Sequence, residues 1–145
     1  MPNEILEFLT SERVGVLAVE MLDGAPHGAT VHFAIANETP VFVFETSRSY
    51  RKSEPLLANG TARASFVVGF VEGKDSKTLQ LDGEARLLDE SDAALKEAYL
   101  AKFPEKATKA ANPDNMFFSF TAQWWRFTDW SGPEGKRVLL SDEVA

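Results

Sequence analysis

The sequence contains no cysteine among its 145 residues, and this absence excludes disulfide bonds, thiolate metal ligands and cysteine nucleophiles. No run approaches the roughly 18 apolar residues that a membrane-spanning helix requires, and the N-terminal residues lack the basic leader and apolar core of a secretory signal. Lys and Arg number 15 against 22 Asp and Glu, whereas nucleic acid attracts a broad positive surface. We therefore expect a soluble, cytoplasmic protein with no membrane or nucleic-acid partner.

Histidine is also scarce, and the two that occur do not form a metal site. His27 follows a proline and His32 lies within an apolar segment, and neither has carboxylates at the spacing typical of metal ligands. The serines lack the Gly-x-Ser-x-Gly turn of a hydrolase nucleophile. The sequence therefore predicts neither a metal site nor a hydrolase triad.

The most informative segment covers residues 44–53, where an apolar run gives way to hydroxyls and cations. Arg48, Arg51 and Lys52 lie within five residues, and no carboxylate interrupts residues 46–53. Hydroxyl, ammonium and guanidinium donors at the start of a helix favour a bound dianion. We interpret this corner as a phosphate site that fits a phosphorylated cofactor. The alternative is an ordinary polar loop between two elements.

A chain of this length suits one domain with a real core, and we expect a single domain over residues 1–145. Hydrophobic periodicity predicts six strands and three short helices. The predicted strands cover residues 14–22, 28–36, 41–44, 61–70, 78–87 and 116–130, and the predicted helices cover residues 3–9, 52–58 and 91–103. This order predicts a mainly β (α+β) fold, a small antiparallel barrel with appended helices.

Turn and cap residues separate these elements. Asp23-Gly24 predicts a hairpin, residues 37–40 predict the next turn, residues 72–75 an exposed loop and residues 106–115 a polar loop. Asn3 is the predicted cap of the first helix, and Asn59-Gly60 the predicted end of the second. The tail, residues 131–145, is either a short docked strand or a frayed end.

The last predicted strand is apolar on both faces, which is unusual for an antiparallel strand with one wet face. Phe118, Phe120, Ala122 and Trp124 alternate with Phe117, Thr121, Trp125 and Phe127. Something must cover the second face, and a partner subunit or a flat ligand would do so. The pattern therefore favours a homodimer.

Several short motifs, taken in order, resemble the pyridoxamine 5'-phosphate oxidase-like family of FMN-binding split barrels. The motifs are Gly24-Ala25-Pro26-His27, Val31-His32-Phe33, Phe44-Glu45-Thr46, Arg51-Lys52, the segment from Leu79 to Ala85, and Trp124-Trp125-Arg126-Phe127. The resemblance covers roughly residues 4–129. It implies a six-stranded antiparallel split β-barrel with short flanking helices, and a homodimer with two FMN sites between its subunits.

The resemblance also implies which residues hold the cofactor. By position, the phosphate would be held by Thr46, Ser47, Arg51 and Lys52, and the isoalloxazine edge would lie along Thr30, Val31, His32 and Phe33. Gln80, which the alternation places on the non-core side, would hydrogen-bond the ribityl chain or the ring. Trp124 or Trp125 would approach from the partner subunit.

The implied activity is that of an FMN-dependent oxidoreductase, whose flavin accepts hydride from a nicotinamide or a small organic substrate. No catalytic base is required for that step, and the sequence identifies no catalytic residue. Residues 131–137 do not reproduce the substrate-phosphate motif of the vitamin-making oxidases, so pyridoxamine phosphate is not the expected substrate. Two alternatives stay open, namely a non-catalytic flavin-binding or electron-transfer module, and a split barrel that binds haem or a deazaflavin.

Overall fold

The computed structural model describes residues 1–36, 40–73 and 75–143. Its strands are β1 (Val14–Glu20), β2 (Pro26–His32), β3 (Ala34–Ala36), β4 (Val41–Ser47), β5 (Thr61–Gly69), β6 (Lys77–Leu87), β7 (Asn115–Asp129) and β8 (Arg137–Leu140). Its α-helices are α1 (Asn3–Ser11), α2 (Glu54–Asn59), α3 (Ala93–Lys102) and α4 (Ala107–Ala110). None of the described helices is long and apolar enough to cross a membrane.

The strands form one antiparallel sheet in the order β2-β1-β5-β6-β7-β4-β3, with β8 added alongside β7. The predicted strand over residues 28–36 is in fact two strands that separate at Phe33. Before Phe33 the chain pairs with β1, and after it the chain pairs with β4 at the opposite end of the sheet. The prediction of six strands was therefore wrong, because one continuous apolar run forms two strands at opposite ends of a curled sheet. In the described residues, seven strands form the sheet order above, and β8 is an eighth.

Phenylalanine rings fill the interior of this curled sheet. Phe66 of β5 lies at the centre, with its ring centroid 5.3 Å from those of Phe33 and Phe42 and 5.2 Å from that of Phe44. These four side chains are fully buried, and edge-to-face packing of this kind adds to the stabilisation from burial alone. Helix α1 packs Ile5 and other apolar residues against the same core.

A bulge in β7 accounts for much of its second apolar face. Asp82 pairs with Trp124 whereas Gly83 pairs with Ala122, so Gln123 is the extra residue. Such an insertion reverses which alternate side chains point inward. The inward set changes there from even to odd numbers, and Trp125 and Phe127 therefore pack in the same core as Phe118 and Phe120.

Two apolar residues of β7, Phe117 and Trp124, face outward, and helix α3 covers Phe117. The ring of Phe117 contacts that of Tyr99 edge-on at 5.6 Å, and the two belong to a second cluster that includes Val43 and Phe103. The second apolar face of β7 is therefore covered within the chain at Phe117, whereas Trp124 stays on the outer face. That a partner subunit or a flat ligand covers this face remains a prediction for Trp124.

The helix ends agree in part with the sequence. Pro2, not Asn3, is the N-terminal cap of α1, and Asn3 is already helical without a capping hydrogen bond from its side chain. Gly60 ends α2 as predicted, with φ of 78° in the left-handed region that favours glycine. The predicted polar loop over residues 106–115 contains α4, preceded by a 3-10 turn at Pro104–Lys106.

The tail docks as a strand, because β8 pairs with the end of β7, opposite Arg126 to Asp129. The hydroxyl of Ser141 also accepts a hydrogen bond from the backbone N–H of Trp125 at 3.1 Å. Three predicted features extend beyond the described residues: residues 37–39 of the turn, Lys74 of the loop and residues 144–145 of the tail.

Candidate functional site

The polar corner joins the end of β4 to α2 through a tight, internally bonded turn. After Ser47 the chain forms a 3-10 turn at Arg51–Ser53 and enters α2 directly. The Ser53 hydroxyl, fully buried, donates to the carbonyl oxygen of Ser47 at 2.7 Å, and the hydroxyls of Ser47 and Ser49 lie 2.9 Å apart. These bonds fix the backbone on which the neighbouring cations are carried.

The three cations of the corner have different surroundings. Arg48 is turned toward the loop before β7, where its backbone N–H donates to the carbonyl of Asp114 at 2.8 Å and its Nε donates to that of Pro113 at 3.2 Å. Arg51 is exposed. The side chain of Lys52 is buried, with 6% exposure for the residue. Arg48 therefore has a structural partner, whereas Arg51 and Lys52 are the cations available to a ligand.

Lys52 is the most informative of these residues. Its Nζ lies 4.5 Å from the ring centroid of Tyr50 and forms no ion pair with any described residue. Burial lowers the pKa of Lys52 from its usual value, and the nearby charge of Lys109 lowers it further, while Glu45 acts in the opposite direction. Partial loss of hydration is unfavourable for an ammonium that has no anion paired with it among the described residues, and a bound phosphate would supply that anion.

Strand β2 lies beside this corner and is in contact with the 3-10 turn. Its predicted ligand residues divide between the two faces of the strand. Thr30 and His32 point outward and are exposed, whereas Val31 and Phe33 are buried in the core. Only the backbone of Val31 and Phe33 could meet a ring, so the side chains that can contact a cofactor are Thr30 and His32.

His32 is held against the end of α3. Its ring contacts that of Phe103 edge-on at 5.5 Å. Burial lowers the pKa of His32, and the positive charges of Lys106 and Arg13 lower it further. The imidazole is therefore neutral at physiological pH.

Gln80 lies on the outer face of the sheet in a row that crosses five strands. The register places Thr30, Val16, Val67, Gln80 and Arg126 side by side. Val16 is 48% exposed and Val67 is 38% exposed, so the middle of the row is an apolar platform with polar groups at each end. Three strand spacings, about 14 Å in all, separate Thr30 from Gln80.

The two candidate tryptophans have different environments because of the bulge. Trp125 packs against the barrel core, and its backbone is bonded to Ser141. Trp124 has the opposite orientation and lies beside Asp82 on the outer face. Of the two, Trp124 is the one placed to contact a partner subunit.

Comparison with known proteins shows which family this chain belongs to. The family model for pyridoxamine 5'-phosphate oxidase matches residues 1–129. The chain belongs to this family. No curated protein has a significantly similar sequence.

Solved structures with the same fold include a protein that binds haem and a protein that binds a flavin. A haem-binding protein from Mycobacterium smegmatis is 20% identical, with a TM-score of 0.71 over 92% of this chain and 55% of that protein. A Clostridium acetobutylicum protein related to general stress protein 26, of the pyridoxinephosphate oxidase family, is 18% identical. Its TM-score is 0.68, over 99% of this chain and 96% of that protein. An FAD-binding protein from Mesorhizobium loti is 19% identical, with a TM-score of 0.67 over 88% of this chain and 93% of that protein. The chain thus spans little more than half of the mycobacterial protein, and at these identities the likeness shows the split-barrel fold alone.

Sequence reasoning within this family missed two buried polar groups near the predicted site. Glu45 is 8% exposed, and within the described part of the chain neither its Oε1 nor the buried Nε of Arg126 has a hydrogen-bond partner. Both residues stand in the motifs that carry the resemblance. Alternation along β4 and β7 could have located them, but burial and missing partners become visible only in three dimensions.

Lys106 and Lys109 were missed for another reason, because both fall in the segment predicted as a solvated loop. The fold returns this segment toward the corner, and the charge of Lys109 acts on Lys52. Lys106 lies over the ring of Phe103, 5.1 Å from Nζ to centroid. The cationic character of the corner is therefore larger than the sequence indicated.

The donor set suits the phosphate of a flavin nucleotide. Lys52, a largely buried residue, supplies an ammonium with no ion pair to any described residue, Arg51 an exposed guanidinium, and Thr46 a hydroxyl at the end of β4. Fixed donors of this kind bind phosphate as charge-assisted hydrogen-bond partners. The residues present therefore fit the group that the resemblance implies.

Proposed function

We propose that this protein binds FMN through its phosphate at the corner between β4 and α2. The observation that carries the proposal is Lys52, a residue only 6% exposed whose ammonium forms no ion pair with any described residue. A dianionic phosphate supplies the missing charge, and Arg51 reaches it from the exposed side. The family match supports the same assignment.

The remaining cofactor contacts follow from the faces of the strands. Thr30 and His32 would contact the flavin from β2, with Val31 and Phe33 contributing backbone groups. Gln80 would hydrogen-bond the ribityl chain or the ring on the outer face. Because Gln80 lies about 14 Å from Thr30, the two contacts need not be made to the same flavin.

We also propose a homodimer, with the outer face of the sheet as its interface. Val16 and Val67 are adjacent on β1 and β5, and both are exposed. Neighbouring apolar side chains on a sheet surface are typical of an association surface. Trp124, on the same face, would then reach the flavin of the partner subunit.

The proposed activity is oxidoreduction with a nicotinamide or a small organic molecule as the electron donor. Bound FMN supplies the hydride acceptor. The protein's own residues bind the phosphate and orient the ring, and the apolar platform would exclude water from one side of it. A non-catalytic flavin carrier is the alternative within the same binding mode.

Haem binding is the second candidate function, and His32 is the observation that favours it. A neutral imidazole can ligate iron, and the cations at the corner could pair with haem propionates. The haem-binding protein from M. smegmatis has the same fold. A deazaflavin would use the same phosphate-type contacts as FMN.

Absorption and fluorescence titrations separate these possibilities. The purified protein is titrated with FMN, riboflavin and haemin. We expect saturable uptake of FMN, one per subunit, with quenching of flavin fluorescence and weaker binding of riboflavin. No binding of FMN would refute the proposal, and one-to-one binding of haemin with a sharp Soret band would support the second candidate.

A reduction assay then tests the activity. The FMN-loaded protein is mixed without oxygen with NADH or NADPH, and flavin absorbance is followed. Bleaching that recurs over many cycles of reoxidation is expected for the oxidoreductase. Flavin that is retained but is not reduced by either nicotinamide or by small organic donors would indicate a carrier.

A further inference from the structure

Glu45 is a buried carboxylate beside the candidate phosphate site. It occupies the next-to-last outward position of β4, directly opposite Phe117 of β7 and next to Thr46. The residue is 8% exposed, and its Oε1 has no hydrogen-bond partner among the residues that the structure describes. A negative group in this position needs a reason, because burial of an unpaired charge is unfavourable.

The carboxylate acts on groups on both sides of it. Its charge raises the pKa of Lys52 and that of Lys106, in each case against the lowering caused by burial. Burial raises the pKa of Tyr99, whose hydroxyl has no hydrogen-bond partner among the described residues, and the charge of Glu45 raises it further. Glu45 therefore lies within electrostatic reach of the corner on one side and of α3 and the segment that follows it on the other.

Glu45 nevertheless forms no ion pair within 4.0 Å with any described cation. No single partner therefore neutralises the charge of Glu45, and this charge acts on both Lys52 and Lys106. A phosphate held by Lys52 would feel that charge as repulsion. The repulsion grows with the charge of the ligand, because Coulomb energy is proportional to it.

We propose that Glu45 determines the selectivity of the site by limiting its preference for a doubly charged phosphate. This inference rests on the proposed binding of FMN. FMN, FAD and riboflavin share the isoalloxazine ring, but FMN carries a phosphomonoester of about two negative charges at neutral pH. FAD has singly charged phosphates, and riboflavin has none. The carboxylate therefore weakens the binding of FMN relative to the binding of FAD and riboflavin.

The test measures the affinity of all three flavins at pH 7.5 for the wild type and for Glu45→Gln. We expect the neutral variant to bind FMN about threefold to tenfold more tightly, which is the size expected for one charge acting on a dianion across several ångströms of partly hydrated protein. FAD should gain less, and riboflavin should not change.

Three further variants sharpen the result. Glu45→Met removes the charge with an apolar side chain that suits the contact with Phe117, so a neutral variant remains available if the glutamine variant fails to fold. Glu45→Asp keeps the charge and should bind FMN like the wild type. Glu54→Gln removes an exposed carboxylate two residues after Lys52 and should change the FMN affinity much less than Glu45→Gln.

The outcomes separate this inference from the proposed function. If the wild type does not bind FMN, the proposed function fails. If it binds FMN but the neutral variants bind all three flavins in the wild-type ratio, or bind FMN more weakly, the role of Glu45 is refuted. An equal gain in Glu54→Gln would also refute it, since the effect would then be one of general charge.

Discussion

Gly83 of β6 lies so close to Thr121 of β7 that a methyl group on Gly83 would overlap the backbone carbonyl of Thr121. This contact stands next to the bulge at Gln123, where the pairing shifts between Asp82 and Gly83. The obstacle is backbone and cannot rotate away. The bulge sets which residues of β7 face the core, so the absence of a side chain at Gly83 contributes to the orientation of Trp124 and Trp125.

The first prediction follows from this contact. Gly83→Ala should lower the free energy of unfolding by about 2 to 4 kcal/mol, because the two strands have to move apart. The matched control is Gly28→Ala on β2, where the nearest atom to an added methyl is Cγ1 of Val16 at 3.9 Å. Urea denaturation of both variants checks the prediction. A Gly83 variant as stable as the Gly28 variant would contradict it.

The bulge also shows which parts of the structure the sequence could predict. Alternation located β5 and β6 with both of their faces, because each follows a period of two, whereas β1 and β4 were found from their apolar composition and the turns beside them. The same rule failed in β7, where one extra residue shifts the phase. It failed again at Phe33, where an unbroken apolar run hides the change of partner from β1 to β4.

The residues of the candidate site also divide into those that the sequence could predict and those that it could not. Lys52 and Arg51 could be found from the sequence because the corner is local, with its cations within a few residues. The surroundings of Lys52 are not local, since Glu45 belongs to the preceding strand and Lys109 to a helix nearly sixty residues away. Sequence distance does not indicate which charges act on each other, and burial decides how strongly they do so.

The second prediction concerns the phosphate contact. Lys52→Ala removes the ammonium and should weaken FMN binding by about tenfold to a hundredfold, the usual size for one charge-assisted contact. Riboflavin, which has no phosphate, should bind as before. Isothermal titration calorimetry or fluorescence quenching measures both.

Arg48→Ala is the control for that measurement. The variant loses the side-chain bond from Nε of Arg48 to the carbonyl of Pro113 but keeps the backbone bond to Asp114, so it should affect stability slightly and FMN affinity little. If Arg48→Ala weakened FMN binding and Lys52→Ala did not, the phosphate would lie several residues from the proposed position.

The third prediction tests the homodimer. Val67→Lys places a charge in the exposed apolar platform beside Val16 and should convert a dimer into monomers, because an unpaired ammonium in a closed interface is unfavourable. Light scattering after size-exclusion chromatography gives the mass. Leu57→Lys, at a similarly exposed apolar residue on α2, should stay dimeric. A monomeric wild type would refute the interface.

The fourth prediction concerns the start of α3, the helix that covers Phe117. Arg86 donates two hydrogen bonds to Asp92, at 3.1 and 2.9 Å, and the backbone N–H of Asp89 donates to the same carboxylate at 2.9 Å. These contacts, with Arg86 first, lower the pKa of Asp92 from 3.8 to about 2. The side chain of Asp92 is 12% exposed while that of Arg86 is 45% exposed, so solvent screens part of the interaction.

Because the pKa of Asp92 is lower in the folded state than in the unfolded state, the pair stabilises the fold fully above about pH 4 and loses its effect as the pH falls toward about 2. With screening, its contribution is about 1 kcal/mol. Asp92→Asn should therefore be less stable than the wild type by this amount near neutral pH, and the difference should vanish at the acid end. Urea denaturation across this pH range measures it, with Glu97→Gln, an exposed carboxylate later in α3, as the control. A difference that persists unchanged down to the lowest pH would mean that Asp92 acts through packing, since charge loss would by then have equalised the two proteins.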